Sequence, residues 1–570
     1  MCMHTSILKY MSISLNQCIK SANILEGSMR KFLAITLVAM LFLTGCGNSN
    51  ATNKEQAKEK EIPLNIIDDK YRNFYEIFVY SFCDSDGDGI GDFKGLIEKL
   101  DYINDGDDTT DDDLGMNGIW LMPIMPSTTY HKYDVIDYYD IDKEYGTMDD
   151  FKAFLQECDK RDIHVIIDLV INHTSSKHEW FIAATDYLKT LDANEEPDVT
   201  VCPYVDYYHF TKEPEGSSYY NVSGTDWYYE APFWSEMPDL NLGSDAVRKE
   251  VENIVSYWMD LGVAGFRLDA AKEFYSGQTS KNIEVLTWFN DYVKGIDEEA
   301  YIVAEVWTEF GTLSTYYESG IDSVFNFAFG DSGGIITNSI YQSNGQKYGK
   351  SLVSLHEKLS GINPEYIDAP FYINHDMARA AGFYNGEYAL QQLKMAGAMN
   401  VLMSGNVFVY YGEELGMSGS GRDENKRAPM YWSTDNSVEG MCDGPSAMEK
   451  VKHRYGSLEE QVNDENSIYN FYKEIIKIRN QNPEVARGIV TYIDEVTDTS
   501  ICAIKKEYNG SDIVILMNLA KEEKSVLLDQ TIYGEYKIVG AVEATEGTEI
   551  KMNDDKTIVL PAFSVVVLKK

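Results

Sequence analysis

Short apolar runs rich in β-branched and aromatic residues recur along the chain at 74–82, 118–124, 164–171, 265–271, 301–307, 323–329, 369–373 and 405–411. Amphipathic stretches with helical spacing separate them. Eight such runs interleaved with helices predict an α/β fold, a (β/α)8 TIM barrel carried by residues 64–172 and 238–482. Two segments break the rhythm. Residues 173–237 hold many Tyr and Gly and few long apolar runs, which predicts a small domain inserted after the third strand. From 483 to 570 the pattern shifts to short alternating runs at 488–492, 501–507, 512–518, 525–528, 536–540 and 557–568. That alternation predicts a C-terminal β-sandwich.

Barrel chemistry sits at the C-terminal ends of strands. Polar residues collect at those ends here: His173, Asp269, Glu305 and His375-Asp376. In Gly265-Phe266-Arg267-Leu268-Asp269-Ala270, side chains alternate, so Arg267 and Asp269 share a side. A buried guanidinium beside a carboxylate keeps it ionised, and an ionised carboxylate at a strand end is a candidate nucleophile. Alone, the hexapeptide reads equally well as a structural ion pair. Three further strand ends tip the balance. Asp168-Leu-Val-Ile-Asn172-His173 ends the third run, Glu305 follows Val303-Ala304 on the fifth, and Asn374-His375-Asp376 ends the seventh.

Charge and leader narrow the setting. The 570 residues carry a formal net charge of -43, which argues against a nucleic-acid partner and suits a well-hydrated surface. Residues 29–45 read as a signal peptide, with Arg30 and Lys31 ahead of an apolar run too short for a spanning helix. The run ends Leu43-Thr44-Gly45-Cys46, which resembles a bacterial lipobox, so Cys46 is the expected acylation site and the membrane is reached only through the lipid. Residues 1–28 read as an extension ahead of the true start at Met29. Residues 46–63 read as a polar tether. An extracytoplasmic, lipid-anchored monomer is expected. Past Cys46 five widely spaced cysteines remain, which implies neither a disulfide framework nor a zinc site.

Taken together, Asp168-x-x-x-Asn172-His173, Gly265-Phe-Arg267-x-Asp269, Glu305 and Asn374-His375-Asp376 resemble the four signature regions of the α-amylase family of glycoside hydrolases, over roughly residues 70–570. The resemblance implies a retaining mechanism on an α-glucosidic bond. Asp269 matches the nucleophile, Glu305 the general acid/base, and Asp376 the third carboxylate, which binds ring hydroxyls. Retention needs the two working carboxyls about 5–5.5 Å apart with their proton affinities pushed apart. His173 and His375 are expected as neutral donors to hydroxyls of the sugar whose bond is cut.

The same resemblance bears on substrate. Tyr133 matches the tyrosine that stacks on the cleaved sugar, and His131, two residues before it, is the residue endo-acting amylases tend to carry there. Met237-Pro-Asp239-Leu-Asn241 resembles a segment of the group between oligo-1,6-glucosidases and neopullulanases. Lys272 matches a lysine that binds the leaving-group side, and Glu273 stands where many amylases have histidine. The expected substrates are starch and maltooligosaccharides. The alternatives are an exo-α-glucosidase, oligo-1,6-glucosidase, neopullulanase or transglycosylase on the same scaffold. A non-catalytic starch-binding protein fits poorly with the intact Asp269, Glu305 and Asp376.

One loop suggests a metal. Asp84, Asp86, Asp88 and Asp92 around Gly89 have calcium-loop spacing, but Gly95 stands where an EF-hand needs Glu. A structural Ca2+ is expected there, with the Ile90 carbonyl as a further ligand. Asn172 and Asp239 form a weaker second candidate between barrel and inserted domain.

Overall fold

The computed structural model describes residues 71–107 and 109–570. The leader, Cys46 and the stretch up to residue 70 lie outside those residues. Seven parallel strands form one curled sheet: β1 (Asn73–Ile77), β2 (Gly118–Leu121), β3 (His164–Leu169), β7 (Gly265–Leu268), β8 (Tyr301–Ala304), β9 (Ser323–Val324) and β10 (Val407–Tyr410). Their order is β10-β1-β2-β3-β7-β8-β9. The eighth place is filled by two single bridges, Phe325 to Ala369 and Phe371 to Phe408, which close the ring. The run at 369–373 is therefore not a full strand. Pro370 lies between the two bridges and has no N–H to give a ladder, although its carbonyl accepts from Phe408 N at 2.8 Å.

Inside the ring the lower layer is apolar and aromatic. Phe74 stacks on Phe408 at 4.9 Å and on Tyr301 at 5.2 Å, and Trp120, Ile166, Val303 and Phe371 join the same cluster. Period-two alternation makes the inward file of β1 read Phe74 then Glu76, and that of β3 read Ile166 then Asp168. Apolar residues thus fill the floor and charged ones the next layer up. Gly265 opens β7 because a Cβ there would stand 1.9 Å from the Tyr301 carbonyl oxygen on β8.

The outer helices are set by caps and apolar stripes. Thr147 and Asp150 form a capping box at the start of helix Met148–Asp159, whose Phe151, Phe154 and Leu155 are buried. Ser244 caps Asp245–Leu261, which ends at Gly262 in the left-handed region. Between β3 and β7 lies a small antiparallel sheet of β4 (Phe210–Thr211), β5 (Tyr219–Asn221) and β6 (Tyr228–Glu230), in the order β4-β6-β5.

Beyond the barrel, β11 (Ile489–Tyr492), β12 (Ile501–Tyr508), β13 (Ser511–Asn518), β15 (Lys537–Glu543) and β18 (Ser564–Lys569) form one antiparallel sheet. It faces a second sheet of β14 (Lys524–Leu527), β16 (Lys551–Met552) and β17 (Thr557–Leu560). Val514, Leu516, Val526, Ile558, Val566 and Leu568 fill the core of this sandwich. The run expected at 557–568 splits into β17 and β18, because Pro561 cannot donate and Phe563 turns at φ 52°.

A buried clamp closes the N-terminal face of the barrel. Arg479, on helix Ile468–Gln481, donates to Asn73 Oδ1 (2.6 Å) and to the carbonyls of Val401 (2.9 Å), Met403 (2.6 Å) and Gly405. Lys506 on β12 donates to the carbonyls of Leu402 (2.8 Å) and Val485 (2.7 Å) and to Ser404 Oγ (3.0 Å).

Candidate active site

At the opposite, C-terminal face, Arg267 is the hub. It is 1% exposed, and its guanidinium lies 5.2 Å from the Trp120 ring centroid. Register pairs Asp168 on β3 with Arg267 on β7. Arg267 Nη1 donates to Asp168 Oδ1 (2.7 Å) and Oδ2 (2.9 Å) and to Asp269 Oδ1 (2.7 Å), while Nη2 donates to Glu305 Oε2 (2.5 Å). The alternation read from the sequence does put Arg267 and Asp269 on one side. Burial works against the cation, but Asp168, Glu305 and Asp269 hold Arg267 charged.

The turn after Asp269 is strained. Ala270 has φ 46°, unfavourable for a side chain by about 1–2 kcal/mol. The strain has a visible return: Ala270 N donates to Glu305 Oε2 at 3.2 Å. Burial raises the Glu305 carboxyl, the Asp269 and Asp376 charges add to that, and Arg267 opposes them with a net rise. Glu305 is thereby biased toward its acid form, and burial also raises Asp168, which shares the Arg267 guanidinium, to about 7.

The third carboxyl is held differently. Asp376 Oδ1 accepts from Arg427 Nη2 at 2.8 Å, and Oδ2 lies 3.1 Å from His375 Nε2. Burial would raise Asp376, but His375 and Arg427 outweigh it and hold the group well below the usual carboxylate range. His375 Nδ1 lies 2.6 Å from Glu76 Oε1. Burial would lower the His375 ring, yet Asp376 and Glu76 outweigh it and raise it to about 9. The expectation of a neutral His375 is thus corrected: carboxylates flank both ring nitrogens. His173 does fit a neutral donor or acceptor, since burial lowers it.

Tyr133 and His131 line the same mouth. The Tyr133 hydroxyl donates to Asp168 Oδ2 (2.9 Å) and lies 2.8 Å from His375 Nε2. His131 is pushed down to about 4 by burial, and its Nδ1 accepts from Tyr133 N at 3.1 Å. In the neutral ring the proton therefore sits on Nε2, which becomes a donor. His173 Nε2 is 3.2 Å from the Tyr133 carbonyl, and its ring packs on the half-exposed Phe233 at 5.4 Å. Lys272 Nζ pairs with Glu273 Oε1 (3.0 Å) and reaches the Trp307 carbonyl (3.4 Å). Trp307, two residues past Glu305, is 45% exposed and stacks on Phe327 at 5.0 Å.

Two site partners escaped the sequence reading. Glu76 had a signal, as a lone acid inside an apolar run. Arg427 had none, since it lies in a loop far along the chain and reaches the mouth only through the fold.

Both candidate metal positions have suitable donors. Carboxylate oxygens of Asp84, Asp86 and Asp88 all lie within 4.8 Å of one another, a hard-oxygen set that fits Ca2+. In this structure Asp92 faces elsewhere. It caps helix Phe93–Glu98 through Lys94 N and Gly95 N (both 2.9 Å) and accepts from Ser85 N (2.9 Å) and Oγ (2.8 Å). Ile90 N donates to Asp88 Oδ1 at 2.8 Å. At the second position, Asn172 Nδ2 donates to Asp239 Oδ1 (3.1 Å), while the buried Asn172 Oδ1 has no hydrogen-bond partner. Asp239 is raised by burial and by the nearby Glu230 and Glu273 charges. An orphaned carbonyl oxygen beside clustered acids is a donor set that suits a hard cation.

Comparison with known proteins agrees with this geometry. The Alpha-amylase family model (alpha amylase, catalytic domain) matches residues 76–488. The chain is 38% identical over 458 residues to Alpha-amylase 3 of Dictyoglomus thermophilum, covering 80% of this chain and 86% of that one. It is 26% identical to an oligo-1,6-glucosidase of Parageobacillus thermoglucosidasius, covering 84% and 95%. Among solved structures, Eubacterium rectale Amy13B superposes with a TM-score of 0.85 at 49% identity, covering 89% of this chain and 97% of that chain. The α-amylase from H.orenii does so with a TM-score of 0.77 at 34% identity, covering 88% and 100%. With Asp269, Glu305 and Asp376 assembled beside Arg267, His173 and His375 at one barrel mouth and a family match across most of its length, this chain belongs to the α-amylase family of glycoside hydrolases.

Proposed function

We propose that the protein is a retaining α-amylase that cleaves α-1,4-glucosidic bonds of starch and maltooligosaccharides. The observation that carries this is the shared guanidinium: Arg267 touches both Asp269 and Glu305, and burial with neighbouring charges biases Glu305 toward its acid form. Asp269 attacks the anomeric carbon. Glu305 gives its proton to the departing glycosidic oxygen, so that bond breaks as the glycosyl–Asp269 ester forms. Glu305, now a base, takes a proton from water, whose oxygen displaces Asp269 with a second inversion. Asp376, backed by His375, accepts from ring hydroxyls, and Tyr133 and His131 flank the sugar. Lys272 and Trp307 sit on the leaving-group side.

Asp84, Asp86 and Asp88 would hold a structural Ca2+, with Ile90 and Asp92 as further candidates, and Asn172 with Asp239 a second ion. Such an ion would tie loops together without taking part in bond cleavage. The leader at 29–45 supports export and acylation at Cys46, with a monomer anchored to the outer surface of the cell membrane. The second reading, an exo-α-glucosidase or oligo-1,6-glucosidase, is favoured by relatives named oligo-1,6-glucosidase; His131 favours the endo reading.

The test is a time-resolved product profile on maltoheptaose, starch and pullulan, with the anomer followed by NMR. Mixed maltooligosaccharides released as α-anomers are expected. Glucose as the sole early product would overturn the endo reading, and β-anomers would overturn retention.

A further inference from the structure

Glu76 is a charged residue in the wall of an apolar barrel. It lies on β1, is 1% exposed, and its Oε1 stands 2.6 Å from His375 Nδ1. The proton positions around His375 follow from who can donate. The Tyr133 hydroxyl gives its proton to Asp168 Oδ2 at 2.9 Å, so toward His375 Nε2 at 2.8 Å it acts as an acceptor. Asp376 Oδ2, 3.1 Å from the same nitrogen, is an acceptor too. Nδ1 faces the Glu76 carboxylate. Every partner of the ring accepts, so both nitrogens carry protons and the ring is an imidazolium.

We propose that Glu76 is a positioning residue for the reaction: it holds His375 as a cation with Nε2–H fixed toward Asp376, and so keeps Asp376 ionised and oriented for the sugar. This rests on the retaining-glycosidase reading. It also gives the mouth a charge balance. Asp168, Asp269, Asp376, Glu305 and Glu76 face Arg267, Arg427 and His375, and burial raises two of these carboxyls, Glu305 and the deeper Asp168, the latter to about 7.

All groups facing His375 enter the argument. Glu76 comes from β1, the Trp120 ring from β2 (edge-on, 5.7 Å), Tyr133 from the loop after β2, and Asp168 from β3. Asp376 is the next residue. Arg427 donates through Nε to the His375 carbonyl at 3.3 Å. With both flanking carboxylates present, the ring loses its proton only as pH rises through about 9. With Glu76 neutralised, one raising charge is gone while burial still lowers the ring, so deprotonation moves toward neutral pH.

The experiment is Glu76→Gln, which keeps size and an acceptor for Nδ1–H but removes the charge. The alkaline limb of kcat/KM on maltoheptaose should move down by about one pH unit or more, and Glu76→Asp should restore it. In wild type at pH 7.5, nitrogen-15 NMR should show His375 with both nitrogens protonated; in Glu76→Gln one proton should be lost. An unmoved alkaline limb with activity lowered equally at every pH would overturn the proposal. So would a neutral His375 in wild type, a measurement that decides the matter even if the variant fails to fold. Loss of the glycosidase reading would appear separately, as wild-type enzyme without the expected products.

Discussion

Arg267 and Arg479 are both fully buried, at opposite faces of this barrel, and they do opposite things. Arg267, at the C-terminal face, is 1% exposed and surrounded by the carboxylates of Asp168, Asp269 and Glu305. Arg479, at the N-terminal face, is 0% exposed and has a side-chain amide and backbone carbonyls as acceptors. The carboxylates hold Arg267 charged, whereas burial among neutral oxygens lowers Arg479 to about 9. Carbonyls cannot exchange protons or attack carbon, so Arg479 and its neighbour Lys506 tie the closing helix and the C-terminal sandwich to the barrel. Carboxylates can do both, so Arg267 organises chemistry. Burial of a cation does not itself mark a reaction site; the kind of acceptor around it does.

The comparison breaks most sharply under mutation of each cluster. Glu305→Gln is expected to cut kcat by roughly 10²–10⁴-fold on unactivated maltooligosaccharides, with binding retained in calorimetry. Unchanged hydrolysis would reassign Glu305. Arg479→Met should instead leave kcat per folded molecule within about twofold while lowering stability by about 3–5 kcal/mol in urea titration, because several buried acceptors lose their donor. A catalytic loss there with normal stability would erase the distinction between the two faces.

Arg427→Gln sharpens it further. Arg427 lies on the chemical side yet touches only Asp376 and its surroundings. It should lower kcat/KM by about 10–100-fold, a positioning effect, without abolishing turnover. The smallest effect concerns the metal. Chelation by EDTA should lower Tm by a few degrees, since an ion bound only by the folded state stabilises it by mass action, with initial rates at 25 °C little changed. An unchanged Tm would argue against a readily exchanged ion at Asp84, Asp86 and Asp88.

Much of this was legible beforehand. The apolar runs located seven strands, and the Arg267–Asp269 alternation placed a cation beside a carboxylate. The places where reading failed have local causes. The run at 369–373 looked like a strand because apolar content says nothing of Pro370's missing donor. The last sandwich run looked continuous across Pro561 for the same reason. His375 looked neutral because a sequence shows an imidazole's own preference but not the two carboxylates that flank it.

The division is physical. Periodicity and strand-end polar residues are properties of short stretches, so the chain alone pointed to the barrel and, through the family resemblance those strand ends carry, to Asp269, Glu305 and Asp376 as candidates in that order. Charge state is a property of neighbourhoods. Glu76 and His375 lie 299 residues apart and meet at 2.6 Å, and Arg427 reaches Asp376 from a loop with no motif. Only the closed barrel brings those groups within reach in a space that excludes water, and that decides which carboxyl keeps its proton.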